Sequence, residues 1–168
     1  MKYLLTKIKN YCILFAVIMI NEKFMSLALS KAKLAQKHDE VPVGAVIVKD
    51  GIVISTGYNR REKTNCPTAH AEVIAIRKAA KTLGSWRLAD CDLYVTLEPC
   101  AMCAGAIIQS RIANLYFGAY DSKAGCAGSV MNIFDHNFNH KVSVSGGILE
   151  KDCSSILTKY FRTKRIKK

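Results

Sequence analysis

Four residues in two short segments have the types and spacing of a hydrolytic zinc site. His70 and Glu72 stand two positions apart, and Cys100 and Cys103 stand three apart, directly after Pro99. One imidazole and two thiolates give tetrahedral zinc three protein ligands and leave the fourth position for water, as in catalytic zinc sites. Zinc lowers the pKa of such a water to about 7, so the predicted chemistry is attack by hydroxide on a substrate.

Glu72 is predicted to be the general acid and base of this site. At about 3.6 residues per helical turn, its side chain points away from that of His70, which suits a group that faces substrate better than a fourth ligand. One carboxylate can take a proton from water and return it to the substrate and the leaving group. Two alternatives stay open at this point. Cys66 could close a structural zinc site, and Cys100 with Cys103 could form a redox pair.

The predicted ligands lie where strands lead into helices. Pro99 suits the first helical position, and Cys100 and Cys103 would then share one face of that helix. The unpaired N–H groups and the dipole of a helix N-terminus favour thiolates over thiols. Thr68 is predicted to cap the other ligand-bearing helix, which covers residues 71–80.

The remaining elements follow from hydrophobic periodicity. Apolar residues three or four apart predict helices, and runs of β-branched and aromatic residues predict strands. The predicted order is helix 22–37, strands 43–48 and 52–56 joined by an Asp-Gly hairpin turn, the helix from residue 71, strand 93–97, the helix to residue 110, strand 115–117, loop 118–128, strand 142–144 and helix 150–162. Strands separated by helices predict a three-layer α/β/α sandwich with a mixed sheet of about five strands, whose first hairpin is antiparallel.

Length and composition predict a single domain over residues 21–168. The chain has 168 residues, and 50% of them are hydrophobic. Residues 1–20 form a basic and then apolar extension that imitates a signal peptide. Its apolar part is shorter than the roughly 20 residues that span a membrane, so we expect no membrane partner. Met19 and Met25 are alternative start positions.

Charge and cysteine content indicate the class of partner and the cellular compartment of the protein. The formal net charge is +12, and five basic residues fall within the last seven, which indicates a polyanionic partner such as nucleic acid. Seven cysteines without a convincing secretory signal favour reduced thiols and a metal site over a disulfide framework. We therefore expect a cytoplasmic protein.

Segments on both sides of the zinc motif carry a resemblance to a known family. They include residues 41–46 (VPVGAV), 57–60 (GYNR), 67–72 (PTAHAE) and 93–106 (LYVTLEPCAMCAGA). The motif itself, H-x-E followed by P-C-x-x-C, is typical of zinc nucleobase deaminases. From about residue 24 to residue 165 the chain resembles the tRNA-specific adenosine deaminases, the bacterial TadA enzymes of the cytidine deaminase-like superfamily. The resemblance implies a zinc-dependent homodimer that converts the wobble adenosine of a tRNA anticodon to inosine, with an arginine tRNA as the expected substrate.

The resemblance also implies substrate contacts and an RNA partner. The residues it assigns to substrate are Asn59, Ala71, Pro99, Asp121, Phe161 and Arg162. The partner it implies is a tRNA anticodon stem-loop. Simpler roles stay open, since Asn59 could shape a turn, Asp121 could cap a loop and Phe161 could be helix core.

Two other functions stay open from the sequence alone. The zinc motif does not specify the base, so the chain could deaminate free guanine, cytosine or cytidine on the same fold. It could also be a catalytically silent, zinc-stabilised RNA-binding subunit. Retention of Glu72 disfavours the silent subunit, because loss of the acid and base group is its expected mark.

Overall fold

Five helices and five strands make up the part of the chain that the structure describes. The structure is a computed structural model that describes the backbone of residues 2–166 and the side chains of residues 18–166. The helices are α1 (Lys2–Lys37), α2 (Arg61–Thr64), α3 (Ala71–Leu83), α4 (Ala101–Gln109) and α5 (Glu150–Ile166). The strands are β1 (Gly44–Lys49), β2 (Ile52–Tyr58), β3 (Cys91–Leu97), β4 (Asn114–Ala119) and β5 (Ser143–Ser145). Every predicted helix and strand is present, and only α2 and a 3-10 turn at Ile133–Asp135 are additional.

The first helix begins earlier than predicted. It starts at Lys2 and not at residue 22, because no glycine or proline interrupts the intervening residues. We predict that residues 1–20 are an extension separate from the domain. Almost all of their side chains lie outside the described residues, so this stays a prediction. Within residues 2–166, no helix is long and apolar enough to cross a membrane.

One strand of the sheet runs against the other four. The strand order is β2-β1-β3-β4-β5. β1 pairs antiparallel with both β2 and β3, whereas β3 with β4 and β4 with β5 are parallel. The ends of β2, β3 and β4 and the beginning of β1 therefore meet at one edge of the sheet. In open α/β sheets, this carboxyl edge is where ligands bind.

Helices cover both faces of the sheet. A Cβ on Gly44 of β1 would collide with the Ala28 oxygen of α1, and a Cβ on Gly57 of β2 would collide with the Ala71 oxygen of α3. Gly57 pairs with Ala45, which follows Gly44 in β1, and successive residues of a strand face opposite sides. α1 and α3 therefore lie on opposite faces. α5 contacts α1 and α4 contacts α3, which confirms the three-layer α/β/α sandwich.

The central strands form the core, and the first hairpin has the predicted turn. Ile47, Leu93 and Val95 in β1 and β3 are fully buried, as expected for strands covered on both faces. Asp50 and Gly51 turn the hairpin with φ angles of 51° and 74°. Positive φ at both positions is the requirement that favours Asp-Gly in two-residue hairpins.

The predicted cap of α3 and the predicted first residue of α4 are each wrong by two residues. Thr68 does not cap α3, because the extended residue before the helix is His70, with φ −78° and ψ 153°. Pro99 is not the first residue of α4, because the extended residue before that helix is Cys100. The Pro99 oxygen accepts the Cys126 N–H at 2.8 Å, which holds Pro99 outside the helix. As a consequence, two predicted zinc ligands occupy N-cap positions.

Candidate metal centre and active site

A cavity of about 550 Å³ lies at the carboxyl edge of the sheet. Residues that follow β2, β3 and β4, the segment before β1, and the starts of α2 and α3 line it on one side. One face of α5 lines it on the other side. The volume is that of a typical small-ligand site, and the position is the one that the sheet topology favours.

Three potential metal ligands converge at this cavity. His70 and Cys100 are the N-cap residues of α3 and α4, and Cys103 lies in the first turn of α4. The Nδ1 atom of His70 lies 3.7 Å from Sγ of Cys100 and 3.5 Å from Sγ of Cys103, and the three ligand atoms lie within 4.8 Å of one another. In tetrahedral zinc with Zn–N near 2.0 Å and Zn–S near 2.3 Å, nitrogen and sulfur lie about 3.5 Å apart. The arrangement therefore fits zinc.

Cys66 is not part of this group. Its Sγ atom does not belong to the set of ligand atoms that lie within 4.8 Å of one another. It lies 3.2 Å from Oγ1 of Thr68, in the loop before α3. Three protein ligands leave one tetrahedral position for a non-protein ligand, which distinguishes a catalytic zinc site from a closed structural one.

The two cysteines share one proton unevenly. The hydrogen bond from Cys103 lowers the pKa of Cys100 to about 4, with help from His70 and against the effect of burial. The same hydrogen bond and burial raise the pKa of Cys103 well above its ordinary range. The pair therefore holds a thiolate ready for a cation at neutral pH. Binding of zinc displaces the proton of the second thiol, so zinc affinity should rise with pH.

Glu72 lies in the first turn of α3 and lines the same cavity as His70 and Cys100. Its side chain is only 4% exposed. Burial raises the pKa of Glu72, while its own backbone N–H and His70 oppose the shift. A raised pKa makes a carboxylate a stronger proton acceptor, which suits a general base. The structure thus places Glu72 in the same cavity as the predicted ligands. The role of Glu72 as general acid and base stays a prediction.

Asn59 joins the end of β2 to the start of α3. Its Oδ1 atom accepts the backbone N–H of Ala71 at 2.9 Å. This bond satisfies one of the free N–H groups of the helix start and requires the amide oxygen to point there. Asn59 is buried, lines the cavity and holds the start of the helix that carries Glu72.

The other predicted substrate residues divide into two groups. Asp121 and Phe161 line the cavity, and Asp121 also caps its own loop by accepting the N–H groups of residues 123 and 124. Ala71, Pro99 and Arg162 do not line it. Ala71 and Pro99 are buried, and Arg162 lies about 100° around α5 from Phe161. Their contact with substrate stays a prediction.

Several residues that line the cavity are not among the predicted site residues. They include Arg61, Glu98, Tyr120, Lys123 and Arg165. Arg165 could have been found from helical spacing, because it lies four residues after Phe161 on the same face of α5. Glu98 could have been suspected as a charged residue directly after a buried strand. Arg61 begins the four-residue helix α2 and Lys123 lies in the loop after β4, and helical spacing gives no comparable signal for either.

Comparison with known proteins identifies the site. Residues 19–119 match the cytidine and deoxycytidylate deaminase zinc-binding region, and this stretch contains all three ligands. Fold and site thus define a zinc-dependent hydrolytic deaminase, with zinc as its cofactor. The tRNA-specific adenosine deaminase of Bacillus subtilis (strain 168) is 46% identical over 149 residues, which are 88% of this chain and 92% of that protein. The chain belongs to the tRNA-specific adenosine deaminase family.

Solved structures agree with this placement. A structure from work on A-to-I editing by tRNA:A34 deaminases at the wobble position of transfer RNA is 48% identical, with a TM-score of 0.77. The match covers 80% of this chain and 99% of that one. A guanine deaminase from Bacillus subtilis is 37% identical with a TM-score of 0.58, over 84% of this chain and 93% of that one. Free-base deaminases therefore share the fold, but the match is weaker in both measures.

Proposed function

We propose that the protein hydrolyses the wobble adenosine of a tRNA anticodon to inosine and ammonia. The observation that carries the proposal is the convergence of His70, Glu72 and Cys100 on one cavity in a chain 46% identical to a tRNA-specific adenosine deaminase. Zinc on the three ligands would supply hydroxide for attack at C6 of adenine. The C6–N bond breaks, a C6–O bond forms, and the amino group leaves as ammonia.

Glu72 is the proton carrier in this scheme. It takes a proton from water and delivers it to the N1 atom of the ring, and it then takes the proton of the new C6 hydroxyl and delivers it to the departing amino group. Because burial raises its pKa, the carboxyl group can hold the proton between these transfers. Glu72 is 4% exposed, so bulk water has little access to the proton during the reaction.

Asn59 is the proposed base-orienting residue. Since Oδ1 is used by the Ala71 N–H, the amide Nδ2 is the end of this side chain that can donate to substrate. The acceptor nitrogens of a purine are suitable partners. The same side chain would then fix both the base and the helix that presents Glu72 to it.

The rim of the cavity suits RNA. Arg61, Lys123 and Arg165 line it from three different elements, and none of them forms an ion pair with a described residue. Tyr120 lies beside them and is 54% exposed, so its ring is available for base stacking. An anticodon loop offers unstacked bases for the cavity and phosphates for the cations. We propose the anticodon stem-loop of an arginine tRNA as the recognised unit.

We also propose a homodimer that works in the cytoplasm. The homodimer rests on the family resemblance, and analytical ultracentrifugation of the zinc-loaded protein tests it. The cytoplasmic location is supported by the free cysteines, of which the structure describes six, and by the tRNA substrate.

The decisive experiment is inosine formation on an anticodon stem-loop with a wobble adenosine, followed by sequencing. Free adenosine, cytidine and guanine are assayed alongside it. Deamination confined to the stem-loop is expected. Turnover of a free base or nucleoside would instead indicate a metabolic deaminase, and bound zinc without any turnover would indicate a silent RNA-binding subunit.

A further inference from the structure

A second buried carboxylate borders the cavity, and the proposed chemistry does not use it. Glu98 directly follows β3, stands two residues before Cys100, and is 2% exposed. It accepts hydrogen bonds from the N–H groups of Asp121 at 3.0 Å, Ala127 at 2.9 Å and Ser129 at 3.0 Å. It also accepts the Ser129 hydroxyl. Four donors from one loop thus converge on one side chain.

Backbone hydrogen bonds also join the segment that contains Glu98 to this loop. The Glu98 N–H donates to the Ala119 oxygen at 2.8 Å, and the Cys126 N–H donates to the Pro99 oxygen at 2.8 Å. Gly125 lies so close to the carboxylate that a Cβ at this position would collide with Oε2. The segment that leads to the metal ligand Cys100 and the loop of residues 119–129 therefore form one closed unit.

Both carboxylate oxygens are occupied within this unit. Oε1 accepts from Ala127 and Ser129, and Oε2 accepts from Asp121 and Ser129. Because residues 121–129 fill its acceptor positions, Glu98 can act on substrate only through the loop that these residues form. The loop in turn places Tyr120, Asp121 and Lys123 along the cavity.

We propose that Glu98 is a positioning residue that fixes residues 120–124 as a substrate-recognition wall beside the zinc site. The activity readout of this proposal rests on the proposed function, whereas the structural readout does not. A carboxylate is suited to the role because it is an acceptor only, whereas the amide of glutamine turns one acceptor into a donor that faces an N–H group. Glu98→Gln keeps the size of the side chain and removes at least one loop hydrogen bond.

The test uses the zinc-loaded full chain and amide hydrogen exchange measured residue by residue. Loss of one hydrogen bond to a charged group is expected to open the loop about tenfold to a hundredfold more often. In Glu98→Gln, the amides of Asp121, Ala127 and Ser129 should therefore exchange faster by that factor, while zinc stays at one ion per chain. On the stem-loop, KM should rise about tenfold and kcat should change by less than about threefold, since the chemical groups are untouched.

A matched control comes from Glu40, a buried glutamate away from the predicted ligands that also accepts backbone N–H groups. Glu40 is 1% exposed and accepts the N–H groups of Glu62 at 3.2 Å and Lys63 at 2.8 Å. Glu40→Gln should accelerate exchange at those two amides and leave the loop amides unchanged. This comparison separates local positioning from a general loss of stability, because the chemical change is identical.

Ser129→Ala provides a second variant that removes only the hydroxyl bond to Glu98. It should accelerate the same loop amides by less than Glu98→Gln does, and it decides the question if Glu98→Gln does not fold. Unchanged hydrogen exchange of the loop amides in the folded variants would overturn the proposal. Loss of zinc would also overturn it, and so would faster amide exchange with an unchanged KM. If the wild-type protein does not deaminate the stem-loop, the proposed function fails, and the exchange data still decide whether Glu98 holds the loop.

Discussion

Glu72 and Glu98 are buried carboxylates of one cavity, yet their surroundings move their pKa values in opposite directions. The two residues are 4% and 2% exposed. Burial raises the pKa of Glu72. At Glu98 burial is again the largest single influence, but the Ser129 hydroxyl and the N–H groups of residues 121, 127 and 129 together outweigh it and lower the pKa. Hydrogen-bond donors, and not burial, decide which carboxylate can exchange a proton.

This contrast divides the cavity into two walls. We call the N-terminal ends of α3 and α4, with His70, Glu72, Cys100 and Cys103, the chemistry wall. We call residues 120–124 and the cavity-lining face of α5 the recognition wall. If the division is right, changes in the chemistry wall lower kcat, and changes in the recognition wall mainly raise KM.

Cys103→Ala should have the largest effect. Removing one of three protein ligands leaves too few for a stable zinc site, so zinc should fall far below one ion per chain and deamination should become undetectable. Cys91→Ala is the matched control, because Cys91 is also fully buried but lies outside the ligand cluster, and it should keep zinc. Metal analysis of both purified proteins makes the measurement. Full zinc in Cys103→Ala would remove this residue from the ligand set.

Glu72→Gln should lower the chemical step by at least about 10²-fold while zinc and fold are kept, because general acid and base catalysis supplies that much. The single-turnover rate on the stem-loop, measured beside zinc content, gives the result. The same substitution at Glu98 is the control, and it should change KM more than the single-turnover rate. Equal rate losses in the two variants would erase the contrast between the carboxylates.

The chemistry wall can be predicted from the sequence because its residues are neighbours in the chain. His70 with Glu72, and Cys100 with Cys103, each lie within one helical turn, and their residue types limit the chemistry. The predicted start of α4 is wrong because a long-range backbone bond, from Cys126 N–H to the Pro99 oxygen, helps to set where this helix begins. Local capping preferences contain no information about such partners.

The recognition wall depends on contacts between distant parts of the chain. Glu98 and Ser129 are 31 residues apart, and no local pattern pairs a carboxylate with a loop that far away. Arg162 and Arg165 both stand in the basic end of α5, and only the helix orientation shows that Arg165 lines the cavity. The antiparallel insertion of β1 between β2 and β3 is likewise a tertiary feature, since alternating strands and helices predict the layers but not the strand order.

The two arginines test the recognition wall directly. Arg165→Ala should raise KM for the stem-loop roughly threefold to tenfold and reduce the salt dependence of binding by about 0.7 in the log-log slope, as expected for one lost phosphate contact on single-stranded RNA. Arg162→Ala removes the same charge from the same helix and should change both quantities less, because Arg162 does not line the cavity. Titrations at several salt concentrations measure the slopes. A larger effect at Arg162 would place the RNA on a different face of α5.

Another buried acid extends the comparison to α5, one face of which belongs to the recognition wall. Cys153 of α5 is fully buried where a Cβ on Gly118 of β4 would collide with its sulfur. Burial, with a contribution from Asp152, raises its pKa from 9.0 to about 12. Like Glu72 and unlike Glu98, this group has too few donors to offset burial, so its protonated form is favoured in the folded state.

A pH dependence of stability follows from the sign of this shift. Below the pKa of the unfolded thiol, both states are protonated and the stability is unaffected. Above about pH 9 the unfolded thiol ionises while Cys153 stays protonated, so the free energy of unfolding falls by up to about 1.4 kcal/mol per pH unit until the folded group also ionises. Urea unfolding of the zinc-loaded protein at about pH 8 and pH 10.5 should show Cys153→Ala losing about 2 kcal/mol less than the wild type. Parallel losses would mean that α5 opens enough to hydrate Cys153, and the recognition wall would then be looser than the chemistry wall.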